Sequence, residues 1–233
     1  MHDLHALPVV SVDAIAARQA LLVVDAAGSV VHRGHTTPGQ YVKLGLFADD
    51  VPRPIALANR PGPARLEFLI KAPDDRLAAL LALSPGDKVH ASAPLGRGFP
   101  VEQARGRDLW LFGVGSGVAP LKAVVEHVLA DRGAYGDVVL FYGVRAVDEL
   151  CFTERFGAWL GQGVRVVPVV SRPGDGDRAW SGATGHVQDH PPAAFARPDE
   201  TVAFVCGLPE MEKSVAAALL QRGVGPDRVL RNW

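Results

Sequence analysis

The sequence predicts two domains: an N-terminal antiparallel β-barrel, then an α/β domain with a doubly wound parallel sheet. Three observations predict this. Apolar runs before residue 100 are short and broken by turn residues, whereas after residue 108 they become long and continuous. Helical patterns separate the later runs at regular spacing, as strand–helix alternation around a parallel sheet requires. A glycine-rich turn follows the first of the long runs directly. The 233 residues suffice for two modest domains, 1–104 and 105–233, with Gln103 to Asp108 as the boundary stretch.

In the first half, Leu21 to Val24, the turn residues Asp25 to Ser29 and then Val30-Val31 read as a hairpin. Further short strands are expected at 39–47, 54–58, 65–71 and 88–93. Between the last two, Leu77, Ala78, Leu80 and Leu81 recur at helical spacing. Ser84-Pro85-Gly86-Asp87 ends that helix in a tight turn. Strand-rich segments with one short helix suit a small antiparallel barrel.

In the second half, 109–114, 138–144, 164–171 and 202–206 are near-continuous apolar runs rich in Val and Phe. Such runs suit strands buried on both faces of a parallel sheet. Helices are expected between them at 120–130, 148–160 and 209–221.

Composition narrows the function classes. Hydrophobic residues at 48 % and charged ones at 21 % support a packed core rather than disorder. Net charge is −1, with Lys and Arg scattered, so no basic stripe points to nucleic acid or an anionic membrane surface. The first ten residues lack a cationic head and a long apolar run, so neither a signal peptide nor membrane insertion is expected. Cys151 and Cys206 are too few for a disulfide framework and fit a cytoplasmic protein. They are also too few for a four-thiolate iron–sulfur cluster.

The segment Gly113-Val114-Gly115-Ser116-Gly117-Val118-Ala119-Pro120 follows a buried strand and opens a helix. Glycines let the backbone turn tightly and approach a pyrophosphate. The helix start offers free N–H groups and a positive dipole end to phosphates. Pro120 fits the first helical turn, where its missing N–H costs nothing. The alternative is a tight turn with no ligand, since isolated glycine patterns match by chance.

This turn resembles the nicotinamide-nucleotide turn of the ferredoxin–NADP reductase-like superfamily, marked by a proline where a third spaced glycine is usual elsewhere. Other motifs follow in family order. Phe141-Tyr142-Gly143-Val144-Arg145 resembles the second strand and its turn. Ser171-Arg172, Trp180-x-Gly182 and Gly185-His186-Val187 resemble the segment lining the adenosine end. Cys206-Gly207-Leu208-Pro209-x-Met211 resembles the motif beside the nicotinamide, with Leu208 inserted before the proline. Pro38-Gly39-Gln40-Tyr41-Val42 and Arg53-Pro54-Ile55-Ala56 resemble the flavin-side strands. Pro85-Gly86-Asp87 and Pro94-Leu95-Gly96-x-Gly98-Phe99 resemble the end of the barrel in dihydroorotate dehydrogenase electron-transfer subunits. The resemblance covers nearly the whole chain, although the cysteine-rich tail of those subunits is missing.

It implies FAD and NAD(P)H as cofactors. Arg53 would pair with a flavin phosphate, with Pro54, Ile55, Ala56 and Ile70 beside the flavin. Gly113 to Pro120 would hold the nicotinamide nucleotide's pyrophosphate. Arg145, Ser171 and Arg172 would hold the adenosine end, assisted by Arg178, with NAD and NADP both open. Cys206 would serve as a catalytic residue near the hydride-donating carbon, with Gly207, Leu208 and Met211 around it. Trp233 would cap the flavin face and yield to nicotinamide; otherwise it anchors a final strand. Cys151 reads as packing.

Two departures stand on the flavin side. Ala56 has no hydroxyl where the motif carries serine, and Asp74 and Asp75 occupy the stretch where a glycine turn would receive a pyrophosphate. His32-x-x-His35 and His186-x-x-x-His190 have spacings a metal could use, but no third ligand is near either pair, so no metal is expected. The expected activity is an FAD-dependent NAD(P)H oxidoreductase passing electrons to a small molecule or an acceptor protein. An iron–sulfur or ferredoxin-like acceptor would sit on another chain. The alternative is a flavin-free nucleotide-binding regulatory or interaction subunit of a redox complex. A flavin-independent dehydrogenase ranks last, since no Tyr–Lys or His–carboxylate proton relay is visible. Oligomeric state stays open.

Overall fold

Twelve residues near the start, His5–Ala16, form strand β1, which carries the barrel round a corner. It pairs with β6 (Lys88–Ala91) over residues 5–8 and with β2 (Gln19–Asp25) over residues 9–16. Register shifts at Val9/Ser11 and Ala14/Ala16 bend it. No single alternation runs its length, which is why the sequence did not announce it. This computed structural model describes residues 3–49, 51–72, 75–174, 180–192 and 195–232. Pro73, Asp74, Arg178 and Trp233 lie outside them, as do the side chains of Asp75 and Arg76.

The barrel sheet has the order β4 (Arg53–Ala56), β3 (Tyr41–Gly45), β6, β1, β2, β5 (Arg65–Lys71), with antiparallel neighbours throughout. A bridge between Leu57 and Phe68 closes it, supported by Ala58 N–H donating to the Glu67 carbonyl at 2.8 Å. Leu7, Leu22, Val42, Phe68, Ile70 and Val89 fill the interior. The expected hairpin at Val30-Val31 is instead a short helix, α1 (Val30–Gly34). Ser29 Oγ accepts from His32 N–H at 3.1 Å, a side-chain cap that wins over β propensity. The helix expected around Leu77 to Leu81 is α2 (Asp75–Leu81).

The second sheet is parallel and six-stranded. Its order is β10 (Ala183–Thr184), β9 (Val164–Val170), β8 (Val138–Val144), β7 (Asp108–Val114), β11 (Thr201–Cys206), β12 (Val229–Leu230). Helices α3 (Val118–Leu129) and α4 (Thr153–Gly161) contribute Val124, Val125 and Trp159 to one core, and α5 (Pro209–Gln221) contributes Val215 and Leu219 to another. Trp110, Phe112 and Phe141 stack across β7 and β8, with ring centroids 4.9 and 5.4 Å apart. The helix expected at 148–160 is interrupted. Phe152 takes a left-handed conformation (φ +62°), which turns Leu150, Cys151 and Phe152 into the core before α4 begins.

The first of these cores also takes in Ala58, Leu69 and Phe99 from the barrel side, and Phe99 stacks on Phe204 at 4.8 Å. The two sheets therefore share a continuous apolar seam. No described helix is long and apolar enough to cross a membrane.

Candidate functional site

β7 and β11 are neighbours, with Gly113 in register with Cys206. Both end at the carboxyl edge of the parallel sheet, where α/β folds bind their ligands. After Val114 the chain makes a single turn over Gly115–Gly117 and enters α3. Gly115 has φ +52°, and a Cβ there would meet open space. Gly117 has ordinary helical torsions, so its need is for space: an added Cβ would fall on the Cys206 carbonyl oxygen. At Gly113 a Cβ would lie 2.7 Å from Leu121 Cδ1. No side chain caps the start of α3; Val118 N–H donates to the Gly115 and Ser116 carbonyls, and Pro120 has no N–H to satisfy. A glycine turn leading into a helix start is the kind of geometry that suits an anion of pyrophosphate type.

Facing the turn is the barrel wall. A cleft of about 300 Å³ runs between them, lined by Pro54, Ile55 and Ala56 of β4 and by Ser116, Gly117, Ala119 and Pro120 of the turn. Cys206, Gly207 and Leu208 close one end. Val114 of the turn, together with Leu69 and Asn232, neither of the last two expected from sequence, completes it. Volume and mostly apolar walls suit flat heteroaromatic rings. Among the flavin-side residues, Arg53 is exposed at the start of β4, in register with Leu44 of β3, beside the cleft. Ile70 is placed elsewhere: it is wholly buried in the barrel interior, because successive residues of a strand face opposite ways and its neighbour Leu69 takes the cleft side. Val118 packs in the core beneath the turn.

Cys206 lies at the mouth with its thiol largely covered. Burial first, then the nearby Glu212 carboxylate, pushes its pKa up to about 12 from an ordinary value near 9. The thiol is therefore protonated at neutral pH and serves as an apolar, weakly donating wall, not a nucleophile. Because the folded-state value is raised, the stability tied to this group is fully present below about pH 9. It is lost as pH rises towards about 12. Iodoacetamide should modify Cys206 roughly a hundredfold more slowly than a free thiol at neutral pH, with the rate rising with alkali. Fast modification at neutral pH, read by peptide mass, would contradict this placement.

The neighbourhood of Cys206 contains charges that motif reading missed. Glu212, in the first turn of α5, is 5 % exposed. Its Oε1 accepts from Gly207 N–H at 3.4 Å, and its Oε2 pairs with Arg231 Nε at 2.9 Å. Met211 packs on Gly207, where a Cβ would also lie 2.6 Å from Val114 Cγ2. Further along the sheet edge, Arg172 N–H donates to the Arg145 carbonyl at 2.9 Å, and Ser171 N–H to the Val144 carbonyl at 2.9 Å. Both arginines are exposed at the ends of β8 and β9 and make no ion pair among the described residues. Val187 packs where Gly143 lacks a side chain, which seats the Gly185 to Val187 segment against β8.

One member of each histidine pair has another partner. His32 Nε2 meets the Gly62 carbonyl at 3.0 Å and His190 Nε2 the Thr184 carbonyl at 2.9 Å. His35 is buried with neither ring nitrogen hydrogen-bonded. Burial, then His32, pulls its pKa down to about 4.

Residues 111–217 match the family model described as the oxidoreductase NAD-binding domain. The chain is 31 % identical over 198 residues to sulfhydrogenase 1 subunit gamma of Pyrococcus furiosus, an alignment covering 82 % of this chain and 66 % of that subunit. It spans just under two thirds of the curated relatives that head the comparison, at 66 % and 65 %. Among solved structures, Amycolatopsis cytochrome P450 reductase superimposes with a TM-score of 0.80 at 27 % identity, covering 100 % of this chain and 70 % of that one. A ferredoxin NADP+ reductase from Neisseria gonorrhoeae, solved with FAD and NADP bound, gives a TM-score of 0.80 at 21 % identity, covering 99 % and 98 %. That second likeness carries the fold.

Proposed function

The chain belongs to the ferredoxin–NADP reductase-like superfamily of FAD- and NAD(P)-binding oxidoreductases, and from that premise we propose that it carries electrons from NAD(P)H through FAD to an acceptor. The observation that carries the proposal is the facing of Ala56 and Ile55 by Cys206 and Gly117 across one cleft. The chemistry supplied when the two cofactors are bound is hydride transfer followed by delivery of single electrons.

The chain's own residues bind, orient and exclude water. The turn from Gly113 to Pro120 takes the pyrophosphate of the dinucleotide at the start of α3. Gly207 and the protonated Cys206 form a wall with no charge to compete for the ring. On the barrel side Arg53 supplies a guanidinium to a flavin phosphate, and Ile55, Ala56 and Leu69 supply a flat apolar face. Ala56 offers no hydroxyl, so orientation of the flavin rests on shape and backbone there. This departure also favours the second reading, a nucleotide-binding subunit without flavin.

The acceptor we propose is a protein of iron–sulfur or ferredoxin type on another chain, since two cysteines cannot hold a four-thiolate cluster. The sulfhydrogenase and P450-reductase names of its relatives support a protein acceptor in general.

Anaerobic addition of NADPH or NADH to the FAD-loaded protein should bleach the visible flavin band. Persistence of the band with both nucleotides would overturn the proposal. Arg145 and Arg172 favour NADPH, since two exposed guanidiniums suit a 2′-phosphate. Arg172→Ala should raise KM for NADPH about tenfold, the loss of one charge-assisted hydrogen bond, and leave that for NADH unchanged. An equal effect on both would refute the phosphate contact.

A further inference from the structure

After β12 the chain leaves the parallel sheet and crosses to the barrel. Two anchors hold this crossing. On the α/β side, the Arg231–Glu212 ion pair fastens it to the start of α5, and the same carboxylate receives Gly207 N–H. On the barrel side, Asn232 Nδ2 donates to the Gly39 carbonyl at 2.8 Å. Between them sits an amide that is 9 % exposed and lines the cleft.

That amide has two polar ends. Its orientation is settled by its partner, because the Gly39 carbonyl can only accept, so the nitrogen must face it. The oxygen end then has no hydrogen-bond donor among the described residues. The residue lines the cleft and is otherwise almost fully covered. Of the other side chains lining the cleft, Ile55, Leu69 and Val114 carry no donor, and the Ser116 hydroxyl and Cys206 thiol make no hydrogen bond to Oδ1. A ring that fills the cleft must either bring an N–H to this oxygen or strand it without water, a penalty typical of unsatisfied buried acceptors.

We propose that Asn232 is a ligand-contacting specificity residue whose Oδ1 accepts a hydrogen bond from an imide or carboxamide N–H of the ring bound in the cleft. The Arg231–Glu212 pair is its positioning element, tying the same segment to the Gly207 turn. This rests on the reading that flavin and nicotinamide rings share the cleft. The two sources of such an N–H are the flavin imide and the nicotinamide carboxamide.

The test deletes the donor from the ligand and leaves the wild-type protein intact. Dissociation constants are measured for FAD against FAD methylated at the imide nitrogen. The reduced dinucleotide is compared with its analogue carrying an acetyl group in place of the carboxamide. One of the two donor-deleted ligands should bind about tenfold more weakly than its parent, which identifies the source, and in Asn232→Ala that penalty should vanish. Asn232→Ser, which keeps a hydroxyl to reach Gly39, serves where the alanine variant does not fold. Binding of both donor-deleted ligands to wild type within twofold of their parents overturns the proposal. So does a penalty that persists undiminished in the variant. Wild-type protein that binds neither FAD nor dinucleotide overturns the functional reading itself and takes this inference with it.

Discussion

Replacing Gly117 by alanine is expected to abolish most of the affinity for NAD(P)H and to destabilise the fold. Gly117 sits at ordinary helical torsions, so backbone strain is not the reason. An added Cβ would fall on the Cys206 carbonyl oxygen, 3.0 Å from the carbonyl carbon and 3.4 Å from Gly207 Cα. All three are backbone atoms at the end of β11, a strand paired on both sides, so no side chain can swing aside. The turn must lift off β11, moving the start of α3 away from the strand end it serves. Overpacking of this kind costs about 1–3 kcal/mol, and a displaced anion cradle should raise KM for NAD(P)H by about tenfold or more. Gly133→Ala is the control, because a Cβ there meets nothing within 4 Å and torsion does not forbid it. Its stability should stay within about 0.5 kcal/mol of wild type. Equal nucleotide affinity in Gly117→Ala and wild type would show that the turn does not seat the nucleotide.

Lys122→Met should be the most destabilising single substitution at the seam between the sheets. Lys122 lies in α3 with no solvent exposure. Its ammonium donates to the Ala58 carbonyl at 3.0 Å, Glu67 Oε2 at 2.7 Å and Glu126 Oε1 at 2.6 Å, so its three protons are all used. The Phe152 ring lies 5.5 Å away on the covered side. Ala58 and Glu67 belong to the barrel side and Glu126 to α3, so one cation clamps both halves just below the glycine turn. Removing it leaves two carboxylates facing each other at the seam, and breaking a buried pair from one side costs about 3–5 kcal/mol. Both glutamates retain some exposure, 22 % each, and relax towards water, which places the loss near the lower bound. Urea unfolding measures it. Adding Glu67→Gln to Lys122→Met should recover part of the loss. A midpoint unchanged by Lys122→Met would mean that the cluster contributes nothing.

These two positions show what the sequence makes legible. The parallel strands are readable because β7, β8 and β11 are buried on both faces and so appear as unbroken Val and Phe runs. The glycine turn is readable because its glycines answer local demands: positive φ at Gly115, contact with a strand end at Gly117. β1 hides, because its bulges change which face is covered along its length. Phe68, Leu69 and Ile70 are all apolar, so the phase of β5 is unreadable in the sequence; Ile70, which the resemblance puts beside the flavin, faces the barrel interior and Leu69 the cleft. Asn232 and Glu212 carried no signal at all. Asn232 meets its partner 193 residues away, and Glu212 is defined by Arg231, so only the folded chain brings Asn232 to the cleft and Glu212 to the Gly207 turn.

The account turns on whether the barrel side holds flavin despite Ala56. Equilibrium titration of the cofactor-free protein with FAD, followed by the flavin's visible absorbance and fluorescence, measures this directly. The expected result is one FAD per chain with a dissociation constant on the order of micromolar or tighter, weakened about tenfold by Arg53→Ala through loss of a charge-assisted phosphate contact. A spectrum that remains the sum of free FAD and protein at every ratio would contradict the account and leave a nucleotide-binding subunit without flavin.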